Sequence, residues 1–109
     1  QIDYAREMAF VAAGEKELLG VARLIADPDY RRAEFAVIVR SDLKGKGLGS
    51  QLMGHLIAYA RAEGLGELHG DVLAENTAML KMCRALGFKV MHDVDVNLFR
   101  LTLSLTKSE

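Results

Sequence analysis

Short apolar blocks set the rhythm of this chain, and their spacing changes from strand-like to helix-like near its middle. Met8 to Ala13 and Leu18 to Ala26 are apolar runs separated by the polar Gly14-Glu15-Lys16-Glu17, which predicts a β-hairpin. Asp27-Pro28-Asp29 ends the second run, because proline cannot donate to a strand ladder and Asp-Pro favours a turn. A third strand is predicted from about Ala33 to Val39, and the three suit an antiparallel meander. Leu48, Leu52, Leu56 and Tyr59/Ala60 then recur at helical spacing up to a stop at Gly64. Leu65 to Leu73 predicts a fourth strand. Asn76 caps a second helix with apolar positions Met79, Met82, Cys83 and Leu86, ended by Gly87. Phe88 to Met91 and Leu98 to Leu105 predict two closing strands, the second alternating Leu101, Leu103, Leu105 with Thr102, Ser104, Thr106.

The predicted order is β-β-β-α-β-α-β-β, an α/β (α+β) fold with a mixed central sheet. A right-handed crossover through the first helix makes the third and fourth strands parallel. Lys44-Gly45-Lys46-Gly47-Leu48-Gly49 then falls at the carboxyl end of a strand and the start of a helix, where open α/β sheets bind ligands. A glycine-rich turn opening a helix leaves backbone N–H groups unpaired and pointing together, and the helix dipole adds positive charge. The segment reads as a phosphate cradle or, more blandly, as a solvated turn. It is not a P-loop, since Gly47 follows Lys46 where Ser or Thr is needed. Nor is it a dinucleotide fingerprint, because its glycines are spaced G-x-G-x-G.

Composition narrows the choice. A chain of 109 residues is one domain, and a net charge of −1 argues against nucleic-acid binding driven by phosphate neutralisation. No run reaches the roughly 18 apolar residues that span a bilayer, and the N-terminus has no signal-peptide pattern. A cytoplasmic protein without a membrane partner is expected. The single cysteine, Cys83, excludes an internal disulfide, and His55, His69 and His92 are too scattered to suggest a metal site. Each histidine is expected at the surface or half buried.

Three pieces together resemble the GNAT superfamily of acyl-CoA-dependent N-acetyltransferases. They are Val37 through Gly49 as strand, loop and helix start, the helix ending in Gly64, and Asn76 followed by Leu86-Gly87-Phe88. The segments Gly20-Val-Ala-Arg, Asp27-Pro-Asp, Ala33-Glu-Phe-Ala-Val, Val39-Arg-Ser-Asp-Leu-Lys-Gly and Glu75-Asn-Thr look like the C-terminal domain of bacterial Pat-type protein lysine acetyltransferases. GNAT domains normally begin with a strand and two helices before the hairpin. Residues 1–109 are accordingly expected to be a GNAT domain lacking those elements, a piece of a larger protein.

The resemblance implies acetyl-CoA as cosubstrate and a protein lysine as acceptor, on a partner such as an acyl-CoA synthetase. It implies pyrophosphate binding by Lys44, Gly45, Lys46, Gly47, Leu48, Gly49 and Ser50, with Lys44 standing where the family usually has Arg or Gln. It implies backbone polarisation of the thioester carbonyl within Val37, Ile38 and Val39, and contact of Asn76 with the pantetheine arm, although Asn76 also reads as a plain N-cap. Glu34 is the implied general base; by itself it reads as a strand acid paired with Arg31 or Arg32. Cys83 stands where many members carry a proton-donating tyrosine, and otherwise reads as a small buried hydrophobe. Met79, Met82 and Met91 read as core filler, and Lys81 and Arg84 either flank a 3′-phosphate or face solvent. A small-amine acetyltransferase and a non-catalytic acyl-CoA-binding module are the competing readings.

Overall fold

A computed structural model describes residues 6–43 and 45–106. Strands β1 (Glu7–Ala13), β2 (Leu18–Ala26) and β3 (Arg32–Val39) form the antiparallel meander that the apolar runs predict. The polar turn closes with Gly14 N–H donating to the Glu17 carbonyl at 2.8 Å. After β2, one carboxylate oxygen of Asp27 accepts from the N–H groups of Arg31 and Arg32 at 3.0 and 3.2 Å, fixing the turn at Asp-Pro.

Helix α1 (Leu48–Ala62) leads into β4 (Glu67–Leu73), helix α2 (Thr77–Ala85) into β5 (Lys89–Asp93), and β6 (Leu98–Ser104) follows. Both helices stop alike: Leu65 N–H reaches back to the Ala60 carbonyl at 3.1 Å, and Phe88 N–H to the Cys83 carbonyl at 3.0 Å. The predicted fourth strand therefore starts at Glu67 and not at Leu65, whose N–H closes the helix. A single 3₁₀ turn over Ser41–Leu43, which periodicity did not reveal, joins β3 to the glycine loop.

The strands lie in the order β1-β2-β3-β4-β6-β5. The β3–β4 pair is parallel and every other pair antiparallel. The sheet is thus two antiparallel triplets joined along one parallel seam. Pairing puts Ala22, Leu24, Phe35, Val37, Leu68, Leu101 and Leu103 on one face. That face carries the core, which Leu52, Met53, Leu56, Ile57 and Ala60 of α1 and Leu80 and Cys83 of α2 complete. The opposite face exposes Val11, Ile38 and Leu73, and no helix among the described residues covers it. Among the described residues, no helix is long and apolar enough to cross a membrane. Met91 is 72% exposed and not core filler, because β5 is an edge strand and Met91 points to the open face.

Leu56 is fully buried where α1 crosses β2 and β3. Leu56→Ala is expected to lower unfolding free energy by about 2–5 kcal/mol in a urea titration.

Candidate active site

The seam between β3 and β4 is short. It holds three rungs, Arg32↔Glu67, Ala33↔Leu68 and Glu34↔His69, after which the strands part. Arg40 N–H donates to Leu19 at 2.9 Å and Asp27 N–H to Arg32 at 2.8 Å, and the β2–β3 register runs between them without a shift. Antiparallel pairs alternate, so even-numbered residues of β3 spend their backbone groups on β2 and odd-numbered ones aim theirs at β4. The N–H groups of Val37 and Val39 consequently face a gap where β4 no longer lies opposite. The Leu105–Gly66 bond, 2.8 Å, fixes the same alternation in β4 and turns the backbone of Asp71 and Leu73 into the gap from its other side.

A cleft of about 620 Å³ opens along this half of β3, between the glycine loop and α2. Of the residues that the resemblance assigns to cofactor binding, Val37, Ile38, Val39, Gly45, Gly47, Gly49, Ser50 and Asn76 line it. Gly45 and Gly47 have φ of 84° and 86°, while a β-carbon on either would meet nothing within 4 Å. Glycine is therefore required there for backbone conformation and not for packing space. Gly47 is the N-cap of α1 and brings no side chain to it, and the first helical bond is Gln51 N–H to Gly47. The N–H groups of Leu48, Gly49 and Ser50 are left pointing out of the helix, with no acid in the first turn. This is a donor set suited to a pyrophosphate.

Lys46 and the Leu48 side chain lie outside the cleft lining, and Lys44 lies outside the described residues. Leu43, Ala78, Met79, Lys81, Met82 and Ala85 complete the walls. Sequence reasoning assigned the two methionines to the core alone, yet both are half buried and serve core and cleft together. Asn76 caps α2, its side-chain oxygen accepting from Met79 N–H at 3.3 Å, and also borders the cleft, so its two readings are compatible. Cys83 is not brought to the cleft. It is fully buried, and burial pushes its thiol up to about 11, which describes a small core residue and a poor acid.

Glu34 sits at the last rung of the seam, exposed on the open face of the sheet, with Ile25 and His69 as its cross-strand neighbours. It is not tied to the expected arginines. Arg32 pairs with Glu67 at 2.5 Å and Arg31 with Asp29 at 3.7 Å, which leaves Glu34 without an ion pair among the described residues. Just beyond β3, Arg40 bridges Glu17 of the β1–β2 turn at 2.5 Å and Asp42 of the 3₁₀ turn at 2.6 Å, bracing the approach to the glycine loop.

The acetyltransferase (GNAT) family model matches residues 1–88, and the chain belongs to that family. It is 40% identical over 98 residues to acetyltransferase PA5475 of Pseudomonas aeruginosa, covering 86% of this chain and 53% of that protein. Acetyltransferase Pat of Mycolicibacterium smegmatis is 36% identical over 94 residues, 80% of this chain and 27% of that protein. An L-methionine sulfoximine/L-methionine sulfone acetyltransferase of P. aeruginosa is 44% identical over 57 residues, 52% of this chain and 33% of its own length. The chain thus spans about half the length of PA5475 and less of the others. Among solved structures, the GNAT domain of S. lividans PAT superposes with a TM-score of 0.81 at 23% identity, covering 95% of this chain and 64% of that one. A Salmonella typhimurium structure with acetyl-CoA gives 0.79 at 24% identity, covering 93% and 66%. These two share the fold.

The Arg40 guanidinium holds the Asp42 carboxyl below its ordinary value of 3.8. A depressed folded value means the pair's contribution is present above that ordinary value and is lost as pH falls through the lower, folded one. Asp42→Asn is expected to flatten the acid limb of stability, followed as urea midpoints between pH 7 and pH 3.

Proposed function

We propose that this domain transfers an acetyl group from acetyl-CoA to a lysine ε-amine on a protein surface. The observation that carries the reading is the parted β3–β4 seam, with free backbone donors on one side and the glycine cradle at its mouth. Bound acetyl-CoA supplies the acyl group as a thioester. Gly45, Gly47, Gly49 and Ser50 hold its pyrophosphate through backbone N–H groups, joined by Leu48 N–H and by the charges of Lys44 and Lys46. Asn76 and the walls of α2 border the pantetheine arm, whose amides meet the unspent backbone groups of β3. Val37 or Val39 N–H donates to the carbonyl oxygen where negative charge develops.

A lysine ammonium has no lone pair near neutral pH, so a base must take a proton before attack. Glu34 stands at the closed end of the gap on the open face, three residues from Val37, and takes that proton directly or through one water. It lies on an open surface and not in a recess, which suits a folded protein presenting a lysine. An acyl-CoA synthetase is the partner that the Pat-like segments favour. Cys83 has no step in this scheme, because its thiol lies in the core.

A second reading is a small amine acceptor, favoured by the 44% identity to the methionine sulfoximine/sulfone acetyltransferase across 57 residues. A screen of lysine peptides, acyl-CoA synthetase and small amines with thiol release as readout separates the two.

Glu34→Gln is expected to lower kcat about 100-fold or more while leaving the calorimetric Kd for acetyl-CoA unchanged. Gly47→Glu puts a carboxylate and a side chain at positive φ into the cradle. It is expected to weaken acetyl-CoA binding by about tenfold or more. Unchanged affinity in Gly47→Glu, or unchanged kcat in Glu34→Gln, counts against the assignment of that residue.

A further inference from the structure

At the closed end of the gap a single aromatic ring occupies the space where the two strands diverge. Phe35 follows the last rung directly and points to the helix face, 5% exposed. Its ring lies across the seam onto β4. A β-carbon built at Gly70 would stand 2.7 Å from Phe35 Cε2 and 3.0 Å from Cζ, so the ring would have to shift to admit one. Gly70 is thus the seat of the ring. On the far side Phe88 braces it, with ring centroids 5.1 Å apart and planes at 52°. Leu24, 1% exposed and directly opposite on β2, closes the remaining direction.

The ring lies just beyond the residues that line the cleft. The cleft walls on β3 run back from the loop through Val39 and Ile38 to Val37. The next residue on the same strand face is Phe35, about 7 Å further along. A ligand anchored by its phosphates at the loop reaches back along β3, so its terminal group arrives at Val37 with Phe35 beyond it.

Resting on the acetyl-CoA reading above, we infer that Phe35, seated on Gly70 and braced by Phe88, is the floor that limits the acyl group to short chains. The acetyl methyl fits above the ring, and each added methylene is pressed against it. Specificity then comes from steric exclusion at one aromatic side chain whose freedom to retreat is removed on three sides.

The test measures calorimetric Kd and kcat/KM for acetyl-, propionyl- and butyryl-CoA on the full chain, with wild type, Phe35→Leu and Gly70→Ala. One methylene in a closed apolar pocket is worth about tenfold or more, so wild type is expected to fall by about that factor at each step. Phe35→Leu, which lowers the floor, is expected to raise the butyryl-to-acetyl ratio about tenfold. Gly70→Ala lifts the ring into the gap and is expected to lower the propionyl-to-acetyl ratio. Circular dichroism checks that each variant folds; should Phe35→Leu fail that check, Gly70→Ala and Phe88→Leu decide, with Phe88→Leu moving in the direction of the longer chains. Ratios within about twofold of wild type in folded variants that still bind acetyl-CoA overturn the inference. Absence of acetyl-CoA binding in wild type overturns instead the reading on which it rests.

Discussion

Everything at the site depends on the parting of β3 from β4 after three rungs. Parallel strands that began in register would ordinarily continue, since each further rung satisfies one more donor and acceptor. Here the Phe35 ring, laid across Gly70, takes up the volume at the point of divergence, and beyond it the backbone of Val37 and Val39 turns to a cleft instead of a strand. The sheet leaves main-chain bonds unmade at its centre, a cost acceptable only where water or a ligand can make them.

The remaining features follow from where that gap ends. Its open mouth coincides with the turn into α1, so the unpaired N–H groups of a helix start and two left-handed glycines gather beside it. Its closed end coincides with Glu34, which the strand alternation turns to the uncovered face. One short seam thereby separates a glycine-rich helix start from an exposed carboxylate, along a single strand.

Much of this was legible in the residues. Period-two and helical spacing locate the strands and helices within a few positions, because each element buries one face and the polar residues mark the other. The glycine loop is legible because positive φ has so few other solutions. The strand order is less so: that β6 inserts between β4 and β5 is decided by pairing partners far apart in sequence, and no local pattern encodes it. The roles of Met79 and Met82 were hidden for a related reason. A half-buried methionine on a helix has the same spacing whether its outer edge meets core or cleft. Cys83 illustrates the limit of reading a position by analogy, since the helix turns that residue inward and its thiol with it.

The two antiparallel triplets, β1-β2-β3 and β4-β6-β5, are paired to each other along those three rungs, with Gly66 N–H donating to the Arg31 carbonyl at 2.7 Å just before them. A molecule that hydrogen-bonds to Val37 or Val39 on one edge and to Asp71 or Leu73 on the other completes the missing part of the ladder and acts as a seventh strand. Folding and binding are then one linked equilibrium: at a concentration a hundred times its dissociation constant such a molecule adds about 2.7 kcal/mol to the stability of the fold. The melting temperature of this domain therefore reports the occupancy of its own sheet.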